Sequence, residues 1–229
     1  LEKEYITNQI SVYKTNKKLM ELKDKLRYAS ILKYAHIHAY GEKDENGRNI
    51  NSNIGLLLQD YSNGTGNNTV KVEFNISPLD VKYIFSRLKS GQVNFELKQD
   101  KISPITGENG KNFVSKLIVK RASIGPDGKP RNYPWTISVE NGYGIAAKAE
   151  TGGTYIKPNS YQKEKYVFIN INDQDLFKLL DGVNTFIEVW EKFYGEQLLE
   201  MKERTVRAIK EQEANEKVNQ VNTTEKSAA

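Results

Sequence analysis

The stretch "TVKVEFNISPLDVKYIF", Thr69 to Phe85, changes its period at its midpoint. Val70, Val72, Phe74 and Ile76 alternate with Lys71, Glu73 and Asn75, as in a strand that buries one face and wets the other. A helix start follows. Ser77 offers a hydroxyl to the orphan amides, Pro78 suits the first helical position, and Asp80 complements the positive end of the dipole. Val81, Ile84, Phe85 and Leu88 then form one apolar stripe, and Gly91 can close the helix. The pattern returns in "KYVFININDQDLFKLL", Lys165 to Leu180, at a constant offset of 95 residues. Val72 corresponds to Val167, Phe74 to Ile169, Ile76 to Ile171, Asp80 to Asp175, Val81 to Leu176, Ile84 to Leu179 and Phe85 to Leu180. Agreement across strand, cap and stripe together predicts an internal repeat.

Working outward, strand signals precede each junction. The first copy has "ASILKYAHIHAYG" (29–41) and "NIGLLLQDYS" (53–62); the second has "QVNFELKQD" (92–100), "KNFVSKLIVKRAS" (111–123) and "YPWTISVENGYGIAAKAE" (133–150). The expected fold class is α+β: two ββββα repeats, 29–91 and 92–194, whose antiparallel sheets carry helices on one face. Leu19, Leu22 and Leu26 stand at helical spacing and predict that 1–28 is a helical arm. The apolar stripe that begins at Leu176 continues thinly through Leu199, Val206 and Ile209, so 195–229 reads as a C-terminal helix, broken or bent near Gly195, that ends in a disordered tail.

Composition narrows the chemistry. The chain of 229 residues has a formal charge of +5, which favours an anionic partner. It has no cysteine, which excludes disulfides, thiolate metal sites and a cysteine nucleophile. His36 and His38 share a face of one expected strand but have no evident third ligand, so no metal and no cofactor are expected. Carboxylates such as Asp60, Glu73, Asp100 and Glu140 form no ligand motif, and no nucleophile, base and orienting acid can be placed by spacing. A binding protein, not an enzyme, is expected. No apolar run approaches the length that spans a bilayer, and the first thirty residues hold no signal-peptide core, so the expected location is cytoplasmic.

The candidate site lies around "KLIVKRASIGPDGKPRNYPWTISV", Lys116 to Val139. Strand alternation puts Lys116, Ile118 and Lys120 on one face and Leu117, Val119 and Arg121 on the other. Lys129, Arg131 and Tyr133 follow in a turn rich in glycine and proline, and Trp135 opens the next strand, where its ring suits a core as well as a surface. Lys148, Tyr155, Lys157 and Tyr161 flank a second glycine-bearing loop that could close over a ligand. Cations that track phosphates beside rings that stack on bases are the usual means of holding an unpaired nucleic-acid strand.

The duplicated ββββα unit over roughly 29–194 resembles, in topology, the Whirly and PUR-alpha group of single-stranded nucleic-acid-binding proteins. That resemblance implies sheets that carry the ligand and helices that build the core or the oligomer. The expectation is a largely sequence-independent single-stranded DNA-binding protein serving replication, recombination or the maintenance of phage or plasmid DNA. It is also expected to form a homo-oligomer through its C-terminal helices. RNA is the alternative ligand, and a structural or protein-interaction module is the alternative class.

Overall fold

The computed structural model describes residues 7–29 and 37–227, with side chains as far as 216. The chain forms two compact units, one of 1–26 with 53–186 and one of 27–52 with 187–229.

The first unit holds two four-stranded antiparallel sheets. In chain order the strands are β1 (Gln9–Lys14) and β2 (Lys18–Lys25), then β3 (Tyr40–Lys43) and β4 (Asn49–Asn51) of the other unit, then β5 (Asn53–Asp60) and β6 (Val70–Ile76), followed by helix α1 (Pro78–Lys89). Next come β7 (Asn94–Thr106), β8 (Asn112–Ala122), β9 (Trp135–Gly144), the short β10 (Ala146–Lys148) and β11 (Thr154–Ile156), and β12 (Gln162–Ile171), which leads into α2 (Asp173–Ser227). One sheet has the order β1-β2-β5-β6 and the other β7-β8-β9-β12. Each is a meander that closes into a helix, so the fold is a pair of ββββα repeats with a long C-terminal helix.

Matching side chains hold the two copies. In the first sheet Met20, Leu58 and Val72 form one cross-strand row and Leu22, Leu56 and Phe74 the next. In the second, Leu117, Val139 and Val167 form one row and Val119, Ile137 and Ile169 the other. All twelve are buried, and each contributes about 1.5–3 kcal/mol of hydrophobic stabilisation. Met20, Leu22, Leu56, Leu117, Val119 and Ile137 border one interior space together with Val81 and Ile84 of α1 and Leu176 and Leu179 of α2. The sheets therefore share a core into which both helices press their stripes.

The caps repeat as well. The Ser77 oxygen accepts from the Asp80 N–H at 3.0 Å and the Asn172 Oδ1 from the Asp175 N–H at 2.7 Å. Each capping side chain also donates to that same aspartate's carboxylate, at 2.6 and 2.8 Å.

The N-terminal segment departs from its expected helix. Residues 9–14 and 18–25 are the hairpin β1–β2, because Met20 and Leu22 alternate with Glu21 and Lys23 and pair across to Leu58 and Leu56. The period-2 burial of Met20 and Leu22 outweighs the helical spacing of Leu19, Leu22 and Leu26, since a sheet partner stands ready on β5. The first repeat accordingly starts at Gln9 instead of residue 29. The expected strand at 29–41 lies partly outside the described residues, and its described end contributes Tyr40 onwards to a separate pair, β3–β4.

In the second unit the His38 ring stacks on Trp190 with centroids 5.0 Å apart and planes 5° apart. Its Nδ1 is 2.9 Å from the Ser52 hydroxyl and its Nε2 is 3.0 Å from the Glu191 carboxylate. Tyr28 stacks on Tyr194. Helix α2 runs through Gly195 without the expected break; a Cβ there would stand 3.0 Å from the Ile37 side chain, so glycine admits a neighbour instead of ending the helix. The helical ladder continues to Ser227, through most of the tail expected to be disordered, where lysine, glutamate, glutamine and asparagine predominate. Among the described residues no helix is long and apolar enough to cross a membrane.

Candidate nucleic-acid interface

Each sheet spends one face on the shared core, and the other face of the second sheet presents three rows beside a fourth, Ile102, Val114, Gly142 and Lys163, in which Val114 is buried. Glu96, Lys120, Thr136 and Asn170 form the first, Lys98, Ile118, Ser138 and Phe168 the second, and Asp100, Lys116, Glu140 and Tyr166 the third. The rings sit together at the β12 edge: Tyr166 is 46% exposed, Phe168 is 38% exposed, and their centroids are 6.0 Å apart. Such neighbouring, half-open rings offer unpaired bases a stacking surface.

The cations of this face are largely balanced. Lys98 reaches Glu96 at 2.8 Å and holds that carboxyl below its ordinary range, and Lys120 approaches the same group at 3.9 Å. Lys163 stands 3.8 Å from Glu140 and 5.6 Å from the Tyr166 ring centroid. The Lys116 ammonium lies 3.7 Å over the Tyr161 ring. Burial, reinforced by Glu140 and Asp100, pushes the Tyr161 phenol above its ordinary range, so the ring stays neutral across physiological pH. At the β12 edge Lys18 covers the Phe168 ring at 3.6 Å and donates to the Phe168 carbonyl at 2.7 Å.

The residues expected at this site divide into three groups. Lys116 and Lys120 stand on the outer face two rows apart along β8, and Tyr161 borders that face beneath the Lys116 ammonium. Lys129, Arg131 and Tyr133 stand exposed on the loop between β8 and β9, and Lys148, Tyr155 and Lys157 stand exposed on the β10–β11 hairpin. Trp135 and Arg121 go elsewhere. Trp135 is 0% exposed, and its Nε1 donates to the Asp173 carboxylate at 2.7 Å. Arg121 grips both oxygens of Asp173, through Nε at 3.2 Å and Nη2 at 3.0 Å, and Nη1 donates to the carbonyls of Gln92 and Val93. These two residues tie the start of α2 to the sheet; the inward register that pairs Arg121 with Trp135 takes both away from the open face.

Tyr166, Phe168 and Lys163 were legible as site residues in "KEKYVFININ", because Tyr166 and Phe168 alternate with the core residues Val167 and Ile169. Lys18 was not, since it reaches Phe168 of the other sheet only in the folded chain, 150 residues away in sequence. No protein-family model, no curated protein and no solved structure matches this chain.

Proposed function

We propose that the protein binds single-stranded DNA without strong sequence preference and performs no chemistry on it, serving replication, recombination or the maintenance of phage or plasmid DNA. One observation carries the reading: the exposed rings of Tyr166 and Phe168 share an open sheet face with Lys98, Lys116, Lys120 and, alongside, Lys163. The resemblance in topology to the Whirly and PUR-alpha group supports it. Stacking carries more of the affinity here than phosphate contact does, because Glu96, Asp100 and Glu140 offset most of the lysine charge. The test is fluorescence anisotropy with labelled oligo-dT at several salt concentrations. Binding that weakens with salt, with a slope near 0.7 per phosphate contacted, is expected. Tyr166→Ala with Phe168→Ala loses about 1–3 kcal/mol per base stacked, and Lys116→Ala with Lys120→Ala lowers the salt slope. Absence of binding at low salt overturns the reading. A parallel series with oligo-U separates DNA from RNA, since only RNA brings the 2′-hydroxyl.

The same proposal includes self-association through the far part of α2, where Leu199, Val206 and Ile209 are exposed on a helix with few other apolar groups.

A further inference from the structure

The two sheets differ in length. Strands β7, β8, β9 and β12 have 13, 11, 10 and 10 residues, whereas β1, β2, β5 and β6 have 6, 8, 8 and 7. The inward face of the second sheet therefore extends past the edge of the first. Strand β6 crosses at Glu73, whose N–H donates to Asn141 Oδ1 at 3.1 Å and whose carbonyl accepts from the Ser115 hydroxyl at 2.8 Å and from Asn141 Nδ2 at 3.2 Å. Past that crossing the inward register no longer faces a core. Lys101, Ser115, Asn141 and Lys165 form one row across all four strands, and Phe113 and Tyr143 pair in the next. Phe113 is 40% exposed and meets Tyr143 edge-on, with centroids 5.7 Å apart.

Lys71 of β6 joins Lys101, Lys165 and the two rings around an open groove of about 590 Å³, which is on the scale that holds a small ligand, about 300–1,000 Å³. Among the described residues, none of these three lysines has an ion-pair partner, in contrast to Lys98, Lys120 and Lys163 on the outer face. Glu73 and Glu164 also border the groove, and Lys25 offsets Glu73 at 3.8 Å. Lys101 also donates to Asn53 Oδ1 at 3.4 Å, and burial lowers its pKa against the opposing charge of Asp80. Cations without ion-pair partners beside the exposed Phe113 and the half-buried Tyr143 match a ligand that alternates flat apolar faces with single negative charges. An acidic peptide supplies such faces only where aromatic side chains alternate with its carboxylates.

We propose that this overhang seats one or two unpaired nucleotides, with bases stacked on Phe113 and Tyr143 and backbone phosphates held by Lys71, Lys101 and Lys165. The seat rests on the single-strand-binding reading above and adds a second point of attachment to it. The experiment measures anisotropy of labelled oligo-dT of about 12 nucleotides for the full chain and for Phe113→Leu, Lys101→Ala/Lys165→Ala and Lys116→Ala/Lys120→Ala, each checked for unchanged thermal unfolding. Phe113→Leu weakens binding about tenfold while keeping an apolar side chain in place, and Lys101→Ala/Lys165→Ala lowers the salt slope by about 1.4, or 0.7 for each phosphate that the protein no longer neutralises. In a Phe113→Trp chain, oligo-dT quenches the new indole emission. Wild-type affinity in folded Phe113→Leu and Lys101→Ala/Lys165→Ala, with loss in Lys116→Ala/Lys120→Ala, overturns the seat and leaves strand binding on the outer face. No binding of oligo-dT by the full chain at low salt overturns both.

Discussion

Asp173 joins three parts of the molecule at a single carboxylate. It lies in the first turn of α2, accepts from the Trp135 indole at 2.7 Å, and takes both arms of Arg121. The hydrogen bonds from Arg121, then that from Trp135 and the Arg121 charge, hold its carboxyl below the ordinary value of 3.8 against an opposing desolvation. A carboxylate depressed in the folded state adds stability that is fully present above the unfolded value and is lost as pH falls through the folded one. Asp173→Asn should therefore lower the melting temperature by about 2–4 °C near pH 7, corresponding to about 1 kcal/mol for a half-exposed charged pair, and the difference should close towards pH 2. Circular dichroism melts across that range check it; an equal difference at pH 2 and pH 7 rejects the assignment. The alternation of Trp135, Ile137 and Val139 allowed the indole either a core or a surface place, and the structure buries it. The partner was hidden, because Asp173 comes to it only when α2 docks, 38 residues further along the chain.

At the scale of elements, equivalence between the copies is tested by the caps. Ser77→Ala and Asn172→Ala should each cost about 1 kcal/mol, and the double variant should lose their sum, since the two helix starts share no hydrogen-bond partner. Urea titrations of the three variants measure this. The junctions β6–α1 and β12–α2 were readable because a strand, a cap and a stripe occur without any loop between them to vary. The upstream strands were not aligned by the same offset. Residues 27–52 separate β2 from β5, whereas only a short loop separates β8 from β9, and so the true second strand, with Met20 and Leu22, passed for part of a helix. The overhang escaped for a related reason: Ser115, Asn141 and Lys165 in the inward register signal that the core has ended, but only the shorter partner sheet shows where.

For the whole molecule, the charge of +5 is a net figure that conceals its distribution. Outer-face lysines are mostly paired and groove lysines are not, a contrast that no composition reveals because it depends on which strands become neighbours. Assembly is likewise a property of the whole chain. If α2 brings copies together, Leu199→Glu with Val206→Glu should reduce the mass in light scattering to that of one chain of 26.1 kDa, with oligo-dT affinity per site unchanged. An unaltered mass above that of one chain would place the contact elsewhere.

The second compact unit is made from 27–52 and from residues beyond 186. During synthesis its first half leaves the ribosome well before its second, by roughly seven to twenty-seven seconds at about 5–20 residues per second. Throughout that wait His38 has no Trp190 to stack on. A chain cut short before residue 187 therefore lacks the second half of this unit and leaves His38 without the ring on which it stacks.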